Sequence, residues 1–313
     1  MTSGKQWAKV AGAIMGTFLI PYFVTLFLWD HVDVLSQDEF YSGKTVVLQE
    51  TGALMDVEEY LVMAVAAQMP ASWHQEALKT QAILARTSIY QKMGQEQSVS
   101  EEVLNFELYD TSQMEAVWGK SQFEAYYNRI REAVGTTIGQ VILYEGKPIE
   151  VLYHYASCGK TRGDTTGYYP YFKSVESSWD LESPGYLQSV TIPPEDLLKK
   201  IRLLEGGEEI GGENIAAAIQ IAKKDEGGYV EQVLIEGKSF SGVQVANVLG
   251  VASSCFTIEG WEDGIRITAL GIGHGYGLSQ WGAKSMAEEG KTAEEIILYY
   301  YSDCKVETYN FSM

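Results

Sequence analysis

Residues 10–29 read VAGAIMGTFLIPYFVTLFLW, twenty positions without a charged side chain. At ~1.5 Å per residue such a helix is roughly 30 Å long, the thickness of a bilayer's hydrocarbon core. The run is apolar on every side, so it does not suit the one-sided helix of a water-soluble core. Lys5 and Lys9 precede it, and Asp30 and Asp33 follow it. Positive charge on the N-terminal flank predicts a cytoplasmic N-terminus. Trp7 and Trp29 fall at interfacial depth, and Pro21 is a kink that a membrane helix tolerates. The rival is a cleaved leader, but the run is long for one and no small-x-small site follows. The expectation is residues 1–9 inside the cell, a single-pass anchor over 10–29, a polar linker over 30–44, and everything beyond outside the membrane.

The rest of the 313-residue chain is acidic: 42 Asp and Glu against 23 Lys and Arg, a formal charge of −19. Such a surface repels polyphosphate, which argues against nucleic acid as a partner. The three cysteines, Cys158, Cys255 and Cys304, form no CxxC pair, and an odd number excludes a complete disulfide framework. One bridge plus one free thiol is compatible with the count.

Local patterning predicts an α+β fold. Thr45–Leu48 is a short strand. Asp56 with Glu59 has capping-box spacing and opens a helix that runs to Met69, where Pro70 stops it. Ser72 with Gln75 has the same spacing and opens a second helix, its stripe Leu78, Ala82, Ala85 and Ile89 ending at Gly94. TTIGQVILYEGKPIEVLYHYAS is a hairpin turning at Glu145-Gly146, and residues 157–185 form a long loop. Residues 190–250 hold two helical stretches and the hairpin GGYVEQVLIEGKSFSG. Residues 190–265 are expected to be an inserted or second lobe. Gly264–Gly271 is a strand, Ser279–Glu289 a helix, and a last helix starts near Thr292. No repeat fixes a strand order.

Two segments are distinctive: VEEYLVMAVAAQMPASWHQEALKTQAILARTSIY, residues 57–90, and GIGHGYGLSQWGAKSMAEEGKTAEEIILYYY, residues 271–301. A weaker third is YHYASCGKT, residues 153–161. In this order they resemble the sporulation stage II protein D and amidase-enhancer family over residues 45–305. The resemblance implies a mixed α/β extracytoplasmic domain with a glycan-binding groove. It implies a lytic transglycosylase that cleaves peptide-stripped peptidoglycan strands at the membrane during forespore engulfment, with sporulation stage II proteins P and M as partners. The alternative it offers is a glycan-binding scaffold or amidase enhancer that does not itself cleave.

The resemblance also gives position 68 to the family's catalytic glutamate. This chain has Gln68. Glycosidic cleavage needs a proton on the leaving oxygen, and an amide has none to give at a useful pKa. Leu61, Ala64, Val65 and Gln68 share one helical stripe, so Gln68 faces inward. From the residues alone it is a satisfied buried amide; on the resemblance it holds the acid's place. Three readings stay open: a natural pseudoenzyme, an inactivated variant, or another acid in the role. The candidate acids are Glu58, Glu59 and Glu76. Glu58 is expected to be a solvated first-turn acid, Glu59 a cap, and Glu76 another first-turn acid.

Substrate-binding candidates are Arg86, His154, Lys160, Thr161, His274, Gly275, Gly277, Ser279 and Gln280. His274 lies in a glycine-rich turn before a helix, where backbone approaches a ligand closely. The spacing is not that of a nucleotide loop. An inward Arg86 is also expected to need a carboxylate. Tyr153, Tyr155, Tyr168, Tyr169 and Tyr171 either stack on sugars or fill the loop. Some relatives are similar to zinc proteins in this loop. Here His154 and Cys158 are the two weak metal candidates, short of the three or four ligands zinc takes, so no cofactor is expected.

Overall fold

The computed structural model describes residues 40–211, 215–261 and 264–309. The apolar run at 10–29 lies outside the described residues. Among the described residues no helix is long and apolar enough to cross a membrane. Contacts divide the chain into residues 1–40 and 41–313, and the second unit is a mixed α/β body.

It begins with three short strands, β1 (Thr45–Val47), β2 (Leu54–Asp56) and, further on, β3 (Ser98–Ser100). β1 pairs antiparallel with β2 and parallel with β3. Between β2 and β3 lie α1 (Val57–Gln68) and α2 (Gln75–Met93). The Asp56 side chain caps α1 by accepting from the Glu58 N–H. The reciprocal arm expected of Glu59 is absent, because Glu59 accepts from the Tyr41 hydroxyl. Met69 is extended, φ −144°, as the residue before Pro70 must be.

The second cap differs from the expectation at Ser72. The Trp73 N–H donates to the Pro70 carbonyl, so the turn runs through Ser72 and α2 starts two residues later. His74 is the cap, its Nδ1 accepting from the Glu76 N–H. The Gln75 amide reaches instead to the Arg129 carbonyl.

α2 is the central element and packs on α1, on later helices and on a second sheet. Arg86 and Glu58 are both fully buried. The Arg86 Nε donates to Glu58 Oε1 (2.9 Å), and the rest of the guanidinium reaches Glu58 Oε2, Thr137 Oγ1 and the carbonyls of Val134 and Gln140. This corrects the expectation of a solvated Glu58. It also removes Arg86 from the substrate-binding set, because its donors are spent in the core. The carboxylate partner expected for an inward arginine is Glu58.

After β3 come α3 (Glu101–Leu104), α4 (Thr111–Trp118) and α5 (Lys120–Gly135). No expectation covers residues 95–135; α5 carries the stripe Phe123, Tyr127, Ile130 and Val134 and is buried only toward its C-terminal end, at Ile130, Ala133 and Val134. The hairpin of β4 (Gln140–Tyr144) and β5 (Lys147–Pro148) follows, turning at Glu145 (φ 51°) and Gly146 (φ 77°), the positive pair a tight hairpin needs. Thr87 Oγ1 accepts from the Ile142 N–H and ties β4 to α2. Next is β6 (Tyr153–His154), then a long loop with one 3₁₀ turn (Ser178–Glu182).

Residues 187–270 share a hydrophobic cluster whose members run from Ile192 to Ala269. They are β7 (Leu187–Ile192), α6 (Pro194–Ile201), α7 (Ile215–Ala218), β8 (Ile219–Lys224), β9 (Val230–Ile235), β10 (Lys238–Ser241), α8 (Gly242–Leu249), β11 (Phe256–Trp261) and β12 (Gly264–Leu270). Two antiparallel sheets result, ordered β10-β9-β8 and β11-β12-β7. The chain then returns through β13 (Leu278–Ser279), α9 (Gln280–Glu288), α10 (Ala293–Tyr300) and β14 (Lys305–Thr308), which pairs with β4. β13 lies parallel to β6, setting Leu278 beside Tyr153 and Ser279 beside His154. That two-residue pairing joins the 153–161 segment to the 271–301 segment.

Removing one partner of a buried ion pair strands the other charge. Arg86→Met should therefore lower unfolding stability by about 3–5 kcal/mol. Denaturant unfolding of the two proteins measures it, and a loss below ~1 kcal/mol would contradict a pair that organises the core.

Candidate functional site

Three glutamines meet where α1 ends, α2 passes and α9 begins. Gln68 is half-buried at the last position of α1. Gln81 is fully buried in α2, and its Nε2 donates to Gln68 Oε1 (2.8 Å). The Gln280 Nε2 donates to the backbone carbonyl of Gln68 (2.9 Å) and to Gln81 Oε1 (3.2 Å). The Tyr153 hydroxyl hydrogen bonds to the Gln81 side chain; burial pushes the phenol up to about 12, and that bond only partly opposes it. Tyr153 is therefore a neutral phenol at physiological pH. Gln68 enters the glutamine network through its oxygen, as an acceptor.

An aromatic trio flanks the amides. Trp73, Tyr155 and Trp281 have ring centroids 6.0–6.3 Å apart, with the Lys284 ammonium 4.6 Å from the Trp281 ring centre. Arg129 fixes the turn carrying Trp73 by donating to the carbonyls of Ala71 and Trp73. Trp281 directly follows Gln280, and its N–H donates to the Tyr155 carbonyl.

None of the three glutamates is placed as a proton donor beside Gln68. Glu58 is locked to Arg86. Glu59 is exposed and holds Tyr41. Glu76 accepts from the Lys79 ammonium and from the Ala293 N–H at 2.8 Å each. Burial alone would raise the Glu76 carboxyl, but these bonds outweigh it and hold it below the usual carboxylate value.

Asp180, which sequence reasoning missed, is a buried acid. It accepts from the Ser157 N–H (2.7 Å), the Ser157 hydroxyl (2.5 Å) and the Ser279 hydroxyl (2.6 Å). Burial raises it against those bonds. Its work is mechanical: it joins the loop after β6 to Ser279, whose Oγ caps α9 by accepting from the Gly282 N–H. Ser279 is accordingly buried and engaged, not open to a ligand as expected.

The remaining candidates lie elsewhere. Successive strand residues face opposite sides, so where Tyr153 reaches Gln81, His154 turns toward His274 (centroids 5.7 Å). The His154 Nδ1 pairs with the Tyr276 carbonyl (3.1 Å), so Nδ1 carries the proton, and Nε2 is a buried atom without a partner. The His274 Nδ1 accepts from the Tyr276 N–H, and its ring also bonds the Tyr153 backbone. Burial lowers both, His154 to about 3, with His274 adding to that shift. His274 borders a cavity of about 180 Å³ with Asn247, Ser253 and Ser254. Thr161 is buried, its Oγ1 accepting from the Val175 N–H (3.0 Å). Lys160 is partly exposed beside Glu176 (3.5 Å).

Gly275 (φ 81°) and Gly277 (φ 68°) allow close approach, but to the protein itself. A Cβ at Gly275 would lie 2.3 Å from the Tyr229 ring, and one at Gly277 would lie 1.9 Å from the Leu152 carbonyl. Among the described residues no group of three His, Cys, Asp or Glu is arranged to hold a metal ion. The Cys158 thiol donates to the Gly227 carbonyl.

A family model described as Stage II sporulation protein matches residues 49–144, which contain α1, α2 and β4. Stage II sporulation protein D of Bacillus subtilis (strain 168) is 34% identical over 262 residues, 80% of this chain and 74% of that protein. The chain belongs to the stage II sporulation protein D family. Its Bacillus amyloliquefaciens counterpart is 35% identical over 256 residues, 78% of this chain and 72% of that protein. The amidase enhancer of Bacillus subtilis (strain 168) is more distant, 23% identical over 292 residues, 77% of this chain and 39% of that protein. In this family member the family-model segment carries Gln68 and Gln81, while Gln280 and the aromatic Trp281 come from the C-terminal segment.

His154 yields a pH prediction. Its folded value, about 3, lies below the unfolded value near 6.5, so the unfolded chain binds the extra proton. The stability this contributes is present above pH ~6.5 and is lost as pH falls toward ~3, roughly 2 kcal/mol of it between pH 7 and pH 5. Unfolding free energies at those two pH values should differ by less in His154→Asn than in the unaltered protein. Equal differences would contradict a buried neutral imidazole.

Proposed function

We propose that this protein binds peptide-stripped glycan strands of peptidoglycan in a groove over Gln68, as a sporulation cell-wall protein with a transglycosylase-type site that lacks its acid. The observation that carries this is the convergence of Gln81 and Gln280 on Gln68 beside the Trp73, Tyr155 and Trp281 rings. Aromatic faces attract the C–H edges of sugar rings, and amides hydrogen bond hydroxyl and acetamido groups. On the family resemblance position 68 is that of the proton donor. A Gln68 amide can donate a hydrogen bond to a glycosidic oxygen but cannot hand over the proton, so the bond is held and not broken.

The rest of the reading rests on sequence. The apolar run at 10–29 anchors the chain in the cell membrane, and the acidic body works outside it. Stage II proteins P and M, which the family resemblance names, are its proposed companions there. A second reading, stimulation of a cell-wall amidase without cleavage, draws on the amidase-enhancer relative.

Incubation with peptide-free glycan strands, followed by mass spectrometry for 1,6-anhydro-muramyl ends, tests the site. The expected outcome is no such ends from the unaltered protein, with glycan retained in a pull-down, and new ends from Gln68→Glu. A general acid is worth about 10²–10⁴ in rate, so the gain should be of that order. Anhydro ends from the unaltered protein would overturn the missing-acid reading, and absence of retained glycan would overturn the groove.

A further inference from the structure

Cys158 and Cys255, 97 positions apart, meet on one turn of the chain. Cys158 follows Ser157 in the loop after β6. Its Sγ donates to the Gly227 carbonyl (3.2 Å), and its N–H donates to the Tyr229 hydroxyl (3.2 Å). Cys255 immediately precedes β11. Its N–H donates to Ser253 Oγ (3.0 Å), and its carbonyl accepts from the Leu270 N–H (2.9 Å). A Cβ placed on Gly228 would lie 3.7 Å from Cys255 Sγ, so the same Gly227–Tyr229 turn supports both sulfurs. Gly227 and Gly228 put no side chain between them. The two thiols are close enough for each to govern the other's proton affinity, and all three cysteines of the chain are free.

We propose that Cys158 and Cys255 are a redox-active dithiol, which a thiol–disulfide exchange partner oxidises to a disulfide tying the loop that follows His154 to the lobe of residues 187–270. Their environments divide the labour. Cys158 is half-buried, and its thiol is held below the usual value, chiefly by the neighbouring Cys255 thiol. Cys255 is buried, and Cys158, together with burial, pushes its thiol up. The more accessible, more acidic sulfur attacks first. The Cys158 thiolate opens the partner's disulfide, forming a mixed disulfide and expelling one partner thiolate. Cys255 then gives up its proton and attacks Cys158 Sγ, expelling the second. Two thiols of this chain lose two electrons and two protons; the partner's disulfide gains them as two thiols.

Cys304 is the internal control. It is a buried thiol just before β14, pushed up to about 12 by burial first and by neighbouring Asp303. The probe is glutathione disulfide added in excess to the full-length reduced protein, followed by alkylation, digestion and mass spectrometry. The expected product links Cys158 to Cys255 and leaves Cys304 alkylated. Closing a loop of this length should raise Tm by about 5–10 °C, reversed by dithiothreitol. In Cys255→Ser, Cys158 should stop at the glutathione mixed disulfide. Alkylation of all three cysteines after exposure, or a link that uses Cys304, overturns the proposal. The cross-link in the unaltered protein decides the matter without any variant.

Discussion

The buried pair of Arg86 and Glu58 sets the frame on which the site is hung. Glu58 stands in the first turn of α1 and Arg86 past the middle of α2; Gln68 ends α1 and Gln81 lies nearer the start of α2. The two contacts, 58 with 86 and 68 with 81, run in opposite directions, so the helices are antiparallel and joined at both ends. An arginine has five donors to satisfy, and burial without partners is costly. Here Glu58, Thr137 and the carbonyls of Val134 and Gln140 take them up, which also fixes the end of α5 and the start of β4. The charge that stabilises the core thereby dictates where the amides meet.

At the far end of that frame, Gln81 uses Gln68 as an acceptor. A carboxyl oxygen accepts as well as an amide oxygen does, so the surrounding bonds fit either side chain. What differs is titration. A glutamine at position 68 has the shape of a glutamate but has no proton to give to a leaving oxygen. Glu76 is engaged by Lys79 and the start of α10, and Asp180 by Ser157 and Ser279.

Much of the fold was legible because local chemistry punctuates it. Pro70 ends α1, the Glu145-Gly146 and Glu236-Gly237 pairs turn hairpins with positive φ, and Thr292 caps the last helix. The reading of Gln68 as the acid's place rests on its motif and not on its local patterning. The partners that define the site were not, since Glu58 to Arg86, Gln68 to Gln280 and Ser157 to Asp180 are contacts between distant positions that no periodicity records. Gln81 stood in plain view inside the first segment, and Trp281 inside the second; a polar residue amid an apolar stripe was the available signal for Gln81. The glycines at 275 and 277 were read as making room for a ligand, whereas a close approach by the protein's own backbone or ring makes the same demand.

The central claim is that a glycan strand lies across the three glutamines with its bond unbroken. A crystal structure of the protein with a peptide-free glycan tetrasaccharide tests it most directly. The account predicts an intact sugar chain against Trp73, Tyr155 and Trp281, with a glycosidic oxygen within hydrogen-bond distance of the Gln68 amide. A cleaved sugar ending in an anhydro ring, or an intact one seated away from Gln68, would contradict it.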